Sequence, residues 1–233
     1  MSSFLLRLTA LVSMVVDHAG LVLFPDISLM RCIGRLSFPI YCFLLVQGYA
    51  HTRDIAAYGR RLMLMALLSE IPFDMLIFAK PFSPMEQNVL FSLLLALAAL
   101  RITDMLRDNP LYASLTILAL CSCAMAANVS YGWLGIALCL CMRCTAESRS
   151  RFAAYVSSML ALYSLTLLLS GVARSWVLIS LCSLFSLVPL MAYNGKKGLR
   201  HSAVTFAFYA AYPAHIILLV ILRMIHIVPP GIL

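Results

Sequence analysis

Six titratable side chains sit where a chain this apolar can least easily hold them: Asp17, His18, Arg35, Glu70, Asp74 and His215 all lie inside long hydrophobic runs. Asn88 opens another such run. An ionisable group deep in a bilayer costs several kcal/mol, so each one calls for a partner or a task. The task that fits these residue types is proton transfer. A neutral imidazole takes a proton from an attacking nucleophile, and a nearby carboxylate orients that imidazole. Asp17 and His18 are neighbours in sequence and point about 100° apart on a helix, which disfavours a direct pair. Asp17 is instead expected to face Arg35 or His215. The structural alternative is a buried ion-pair network that fixes helix order, with Arg35 on Asp17 or Glu70 and each His bonded to a neighbour.

The elements that must position these groups are apolar runs long enough for membrane helices. Nine are separable, at 4–24, 29–50, 57–79, 87–102, 109–127, 131–144, 152–170, 175–193 and 203–225. A spanning helix needs about 20 residues, so nine runs, within a range of eight to ten, fill the chain as one domain over 1–233. Loop charge gives orientation. With the N-terminus in the cytoplasm, Arg7 and the stretches 51–61, 101–108, 143–151 and 194–202 carry twelve of the 17 basic residues. The last stretch includes Lys196, Lys197 and Arg200, and the C-terminus with Pro229, Pro230 and Gly231 falls outside as a frayed end.

In that frame depth becomes informative. Asp17 and Glu70 lie about 13 residues into outward-running spans, His215 about 12, and Arg35 about 6 residues from the outer end of an inward-running one. Four helices thus place titratable groups in one layer just outside the midplane. Pro39, Pro72 and Pro213 stand close to Arg35, Glu70 and His215. Proline removes a backbone N–H, so three spans are expected to be interrupted beside their titratable residues, as in binding sites built from broken helices.

Composition excludes other classes. Of the residues, 63% are apolar and 11% charged. A soluble domain carries roughly a quarter charged residues. The net charge of +8 is expected to set topology, and nucleic acid is not an expected partner. Cys121-x-Cys123 and Cys139-x-Cys141-x-x-Cys144 resemble metal spacings but lack His partners, and no metal is expected. The first run is too long, and lacks the small-residue close, for a cleaved signal peptide. No Walker loop, GxSxG elbow or HExxH motif appears, which argues against an ATP-driven pump and against serine or zinc proteases.

Several short segments together resemble one family. They are Met14 to Gly20 around Asp17-His18, Gly34-Arg35 to Tyr41, His51 to Arg53, Ser69-Glu70 to Asp74, and Asn88 to Phe91. Ser130 to Gly132, Tyr193 to Gly198 and Phe208 to His215 complete the set, in order along nearly the whole chain. The pattern resembles the TraX-like proteins, which belong with the transmembrane acyltransferases. The resemblance implies an acetyltransferase in the bacterial inner membrane. Its donor would be cytoplasmic acetyl-coenzyme A. Its acceptor would be an amine or hydroxyl on a pilin N-terminus or a cell-surface glycan. It carries His18 over as the catalytic His with Asp17 beside it, and makes Arg35 and His215 site members. Glu70, Asp74, Asn88 and Tyr212 are assigned to substrate binding.

The basic edge formed by His51, Arg53, Arg60 and Arg61, with Lys196 and Lys197, is expected to hold the donor's phosphates. His18 would act as general base, with Arg35 as a donor to the developing oxyanion; a covalent acetyl-His is the other route. A proton-coupled transporter and a structural component of a conjugation apparatus are the competing classes. Assembly into a homo-oligomer is left open.

Overall fold

In the computed structural model, residues 1–199 and 201–225 are described; Arg200 of the last basic stretch and the Pro229–Gly231 end lie outside them. Among the described residues every regular element of the chain is a helix. Its elements are α1 Ser3–Val22, α2 Ser28–Gly34, α3 Ser37–His51, α4 Ile55–Phe78, α5 Val89–Met105, α6 Pro110–Ala126, α7 Trp133–Cys144, α8 Arg149–Leu169, α9 Arg174–Leu181, a 3₁₀ segment Cys182–Ser186, α10 Leu187–Met191 and α11 Ser202–Met224. Among the described residues every one of the nine expected runs is helical, two of them in pieces.

Among the described residues five segments are long and apolar enough to cross a membrane: Ser3–Val22, Ser28–His51 taken through its joint, Arg149–Leu169, Arg174–Met191 and Phe206–Met224. The 24 residues of α4 have the length, but Arg60, Arg61, Glu70 and Asp74 interrupt their apolar character. α7, at 12 residues, rises only about 18 Å and is too short to cross a 30 Å hydrocarbon core alone.

The helix breaks differ from expectation. The second run does divide, but at Arg35-Leu36, where the Arg35 N–H is shared between the carbonyls of Arg31 and Cys32 and Leu36 N–H turns to Ile33. Pro39 lies just past this joint, in the first turn of α3, where a missing N–H leaves no helical bond unmade. Pro72 and Pro213 do not interrupt their spans: α4 and α11 run straight through them. In long helices packed on neighbours the one lost bond is tolerated. The other break, the 3₁₀ stretch Cys182–Ser186 after α9, precedes Pro189, which has no N–H to donate to the Phe185 carbonyl one turn back.

α3 is the hub. It is apolar on every side and buried along its length, from Phe38, Ile40 and Cys42 to Leu45, Val46 and Tyr49, against side chains of α1, α5 and α7. Apolar side chains such as Leu64, Leu67, Leu111, Leu115, Leu118 and Leu165 face outward, as a lipid-facing surface requires.

The stretches expected to share one side do meet. Ser3 and Phe4 N–H groups, orphaned at the start of α1, donate to the carbonyls of Lys196 and Lys197. Asp104 pairs with Arg143 at 2.6 Å and accepts from Tyr49 near the end of α3. At the other end, Gln87 and Val129 pair in a short parallel bridge that joins the loops before α5 and α7.

The Glu70 cluster belongs to this second end. Asn88 caps α5 by accepting from Leu90 N–H at 3.0 Å. Its side-chain amide donates to Glu70 and to the Ala66 carbonyl, and its backbone N–H donates to Glu70 at 3.2 Å. Asp74 accepts from Ser83 N–H at 2.8 Å. These three side chains therefore hold the 79–88 segment against α4. Asn88→Ala should lower stability by about 2–4 kcal/mol, since it removes a cap and a bond to a carboxylate together. Thermal unfolding of the detergent-solubilised protein checks this; an unchanged midpoint would remove Asn88 from that role.

Candidate functional site

α1 brings Asp17 about 21 Å along its length. There it meets two guanidinium groups from α2 and the joint behind it. Arg35 Nη2 donates to both Asp17 oxygens, at 3.1 and 2.9 Å. Arg31 Nη1 lies 3.0 Å from Asp17 Oδ1 and donates to the Asp17 carbonyl at 3.0 Å. Arg31 and Arg35 are four residues apart, so one face of α2 aims both at the same carboxylate. The helices can come this close only because residue 34 is glycine: a Cβ there would stand 2.2 Å from Asp17 Cβ. Gly20 plays the same part against Met30, at 2.6 Å.

The cluster carries one carboxylate for two guanidiniums, and the side chains involved are at most 19% exposed. It is therefore a buried centre of net charge +1. Arg31 and Arg35 each keep a buried Nε–H with no partner among the described residues. Arg35 Nη1 also donates to the Tyr131 hydroxyl at 3.3 Å, and Arg31 lies 5.4 Å from the Trp176 ring. Tyr131 holds a left-handed backbone, with φ 63°, that a bulky residue rarely adopts. Its ring is clamped on Phe38, with centroids 3.8 Å apart and planes 5° apart.

His18, on the next residue of α1, turns away from this cluster to α11. Its Nδ1 lies 2.8 Å from His215 Nε2. The planes are 7° apart and the centroids 5.0 Å, so the rings meet edge to edge with the bond in their common plane. His215 Nδ1 lies 2.8 Å from the Ala211 carbonyl. Tyr212 packs its ring 5.7 Å from that of His215.

A cavity of about 450 Å³ leads from the basic end toward this pair. Arg7, His51 and Arg61 lie at its wide end, Tyr58, Phe208 and Tyr209 form walls, and Met14, Val89 and Tyr212 close its deep end. Met14 is one helical turn before His18, and Tyr212 one turn before His215. No acidic side chain among the described residues lines it.

The structure thus brings Asp17 with Arg35, and His18 with His215 and Tyr212, while Glu70, Asp74 and Asn88 form the loop-holding cluster described above. His51 and Arg61 line the cavity. Arg60 does not; its guanidinium is exposed and 4.0 Å from Asp54. Arg53 is exposed, and Lys196 and Lys197 use their carbonyls to receive α1. Arg31, Arg7, Tyr58 and Tyr131 were not expected among the site residues. The i, i+4 spacing of Arg31 and Arg35 was the signal available for the first. The cysteines that resemble metal spacings carry free thiols, and no grouping of three metal-type ligands occurs among the described residues.

Asp17→Ala would leave two buried guanidiniums without the carboxylate they are bonded to and should cost about 3–5 kcal/mol. Arg31→Met leaves a neutral Asp17–Arg35 pair and should cost clearly less. Thermal unfolding of both variants in one detergent tests the order; the reverse order would contradict a cluster in which positive charge is in excess.

Comparison with known proteins bears on the same elements. The family model for the TraX protein matches residues 2–223. Over 240 aligned residues the chain is 33% identical to "Probable fimbrial assembly protein FimC, serogroup H1" of Dichelobacter nodosus, covering 96% of each chain. A 45-residue stretch is 46% identical to "Uncharacterized protein RP591" of Rickettsia prowazekii (strain Madrid E), covering 19% of this chain and 17% of that one. No solved structure matches the chain. The match to the family model takes in both halves of the site, from Asp17 and His18 to His215, and with the full-length relative it shows that the chain belongs to the TraX family.

Proposed function

We propose that the protein is an acetyltransferase of the bacterial inner membrane, which passes an acetyl group from cytoplasmic acetyl-coenzyme A to an amine or hydroxyl acceptor. The observation that carries this reading is the cavity that runs from Arg7, His51 and Arg61 to within one turn of His18 and His215. Its chemistry suits a donor with a phosphorylated head and a long neutral arm. Cations stand at the wide end, aromatic and aliphatic walls line the length, and among the described residues no carboxylate lines it to repel the phosphates. Along α1, Arg7 and His18 are separated by about 16 Å, a span suited to an extended pantetheine arm.

At the deep end His18 takes the proton from the acceptor nitrogen or oxygen as that atom bonds to the thioester carbon. The C–S bond then breaks, and His18 returns the proton to the departing thiolate. The net positive Asp17–Arg31–Arg35 cluster beside it favours the oxyanion that forms between these steps. The name of the Dichelobacter relative points to a fimbrial subunit as acceptor, with a cell-surface glycan as the other candidate of suitable chemistry.

His18→Ala should abolish acetyl transfer by the purified protein while leaving its unfolding temperature near the wild-type value; full transfer by that variant would overturn the assignment. Arg7→Ala and Arg61→Ala should each raise the donor KM by about tenfold, the loss of one charge-assisted phosphate contact. Arg60→Ala should leave KM unchanged. A steady-state titration of acetyl-coenzyme A separates the three, and equal effects at positions 60 and 61 would reject the cavity as the donor site.

A further inference from the structure

The nitrogen of His18 that is free to accept a proton is fixed by its neighbour on α11. A backbone carbonyl can only accept, so the 2.8 Å contact between His215 Nδ1 and the Ala211 carbonyl places a hydrogen on His215 Nδ1. The 2.8 Å contact between the two rings then holds a single hydrogen. If His215 supplied it, His215 would carry hydrogens on both nitrogens and be a buried cation with no carboxylate partner among the described residues. If His18 supplies it, both rings are neutral. The neutral arrangement avoids the unpaired buried charge. His18 Nδ1–H therefore donates to His215 Nε2, and the lone pair of His18 stands on Nε2, which has no hydrogen-bond partner among the described residues.

From this geometry we infer that His215 is a positioning residue: it holds His18 in the tautomer whose Nε2 is the base. The inference rests on the acetyl-transfer reading and deepens it. A neutral imidazole without such a partner favours the hydrogen on Nε2, which would leave the reacting nitrogen with no lone pair. The in-plane bond also fixes the ring's rotation. When Nε2 takes the acceptor's proton, His18 becomes an imidazolium, and the Nδ1–H···Nε2 bond to His215 becomes charge-assisted. His215 thus does the orienting that a buried carboxylate does in hydrolase triads, while remaining uncharged. Asp17 is taken up by its two arginines.

The test uses the full-length protein in detergent, labelled with ¹⁵N-histidine. The His18 resonances, assigned by their loss in His18→Gln, should show a protonated Nδ1 and an unprotonated Nε2. The opposite pattern would overturn the inference. Two variants add a kinetic arm. His215→Gln carries an amide oxygen as many bonds from Cβ as Nε2 is, so it keeps an acceptor for His18 Nδ1–H but has no basicity. His215→Leu keeps neither. With acetyl-coenzyme A as donor, His215→Leu should lower kcat by about 100-fold with donor KM unchanged, and His215→Gln should recover most of that loss. A Gln variant as slow as the Leu variant would show that His215 must itself carry a proton. If the wild-type protein turned over no acetyl-coenzyme A, the acetyl-transfer reading would fall, and the nitrogen spectrum would still decide the tautomer.

Discussion

One buried carboxylate between two guanidinium groups organises this molecule. Asp17 ties α1 to α2 through Arg31 and Arg35, and the close contact of the two helices at Gly34 follows from that pairing. In water such a pair would add little; in a lipid-surrounded bundle, opening it strands charges that nothing else can solvate. The division of the second span at Arg35 then has a physical purpose. A straight helix through residues 28–51 would carry Arg35 on the continuation of α3, whereas the joint lets α2 lean on α1 while α3 stays in the centre of the core. Tyr131, held in a left-handed backbone and stacked on Phe38, braces the far side of Arg35.

With Asp17 occupied in this way, α1 turns its next residue, His18, to a different partner. A turn of about 100° separates consecutive side chains, so the helix shows an ion cluster to α2 and an imidazole to α11 at one level. α11 answers with His215 and Tyr212 at the deep end of the cavity, and with Phe208 and Tyr209 along its wall. One helix therefore lines the cavity and holds the His18 ring, which couples the two halves of the site.

Much of this was legible in the sequence, because hydrophobicity in a membrane chain is a strong signal and polar exceptions to it stand out. The nine runs and the meeting of the basic stretches at one end follow from apolar length and loop charge. The joining of Asp17 with Arg35 follows from their common depth. Depth alone could not tell which groups share a layer as partners and which merely share a level. Glu70 and Asp74 lie at a similar height, yet they serve the 79–88 segment, because α4 turns them toward the start of α5. Arg31 gave no such depth signal, since a residue three positions into a run looks like a loop residue until the lean of α2 is known. The prolines misled for a related reason. Proline marks a missing bond, but whether the helix breaks there depends on neighbours that support it, and α4 and α11 have them.

The contact between Gly34 and Asp17 has a consequence for tracing distant relatives. Asp17 and Gly34 touch across two helices, while His18 and Arg35 follow each of them by one residue. Any protein that keeps this buried cluster at this helix spacing must therefore keep an aspartate and, some 17 residues on, a Gly-Arg dipeptide; where the imidazole pair with α11 is kept as well, the first element becomes an Asp-His dipeptide. Neither dipeptide means much alone. Together they form a signature set by steric fit and charge, which can be sought where overall identity has faded.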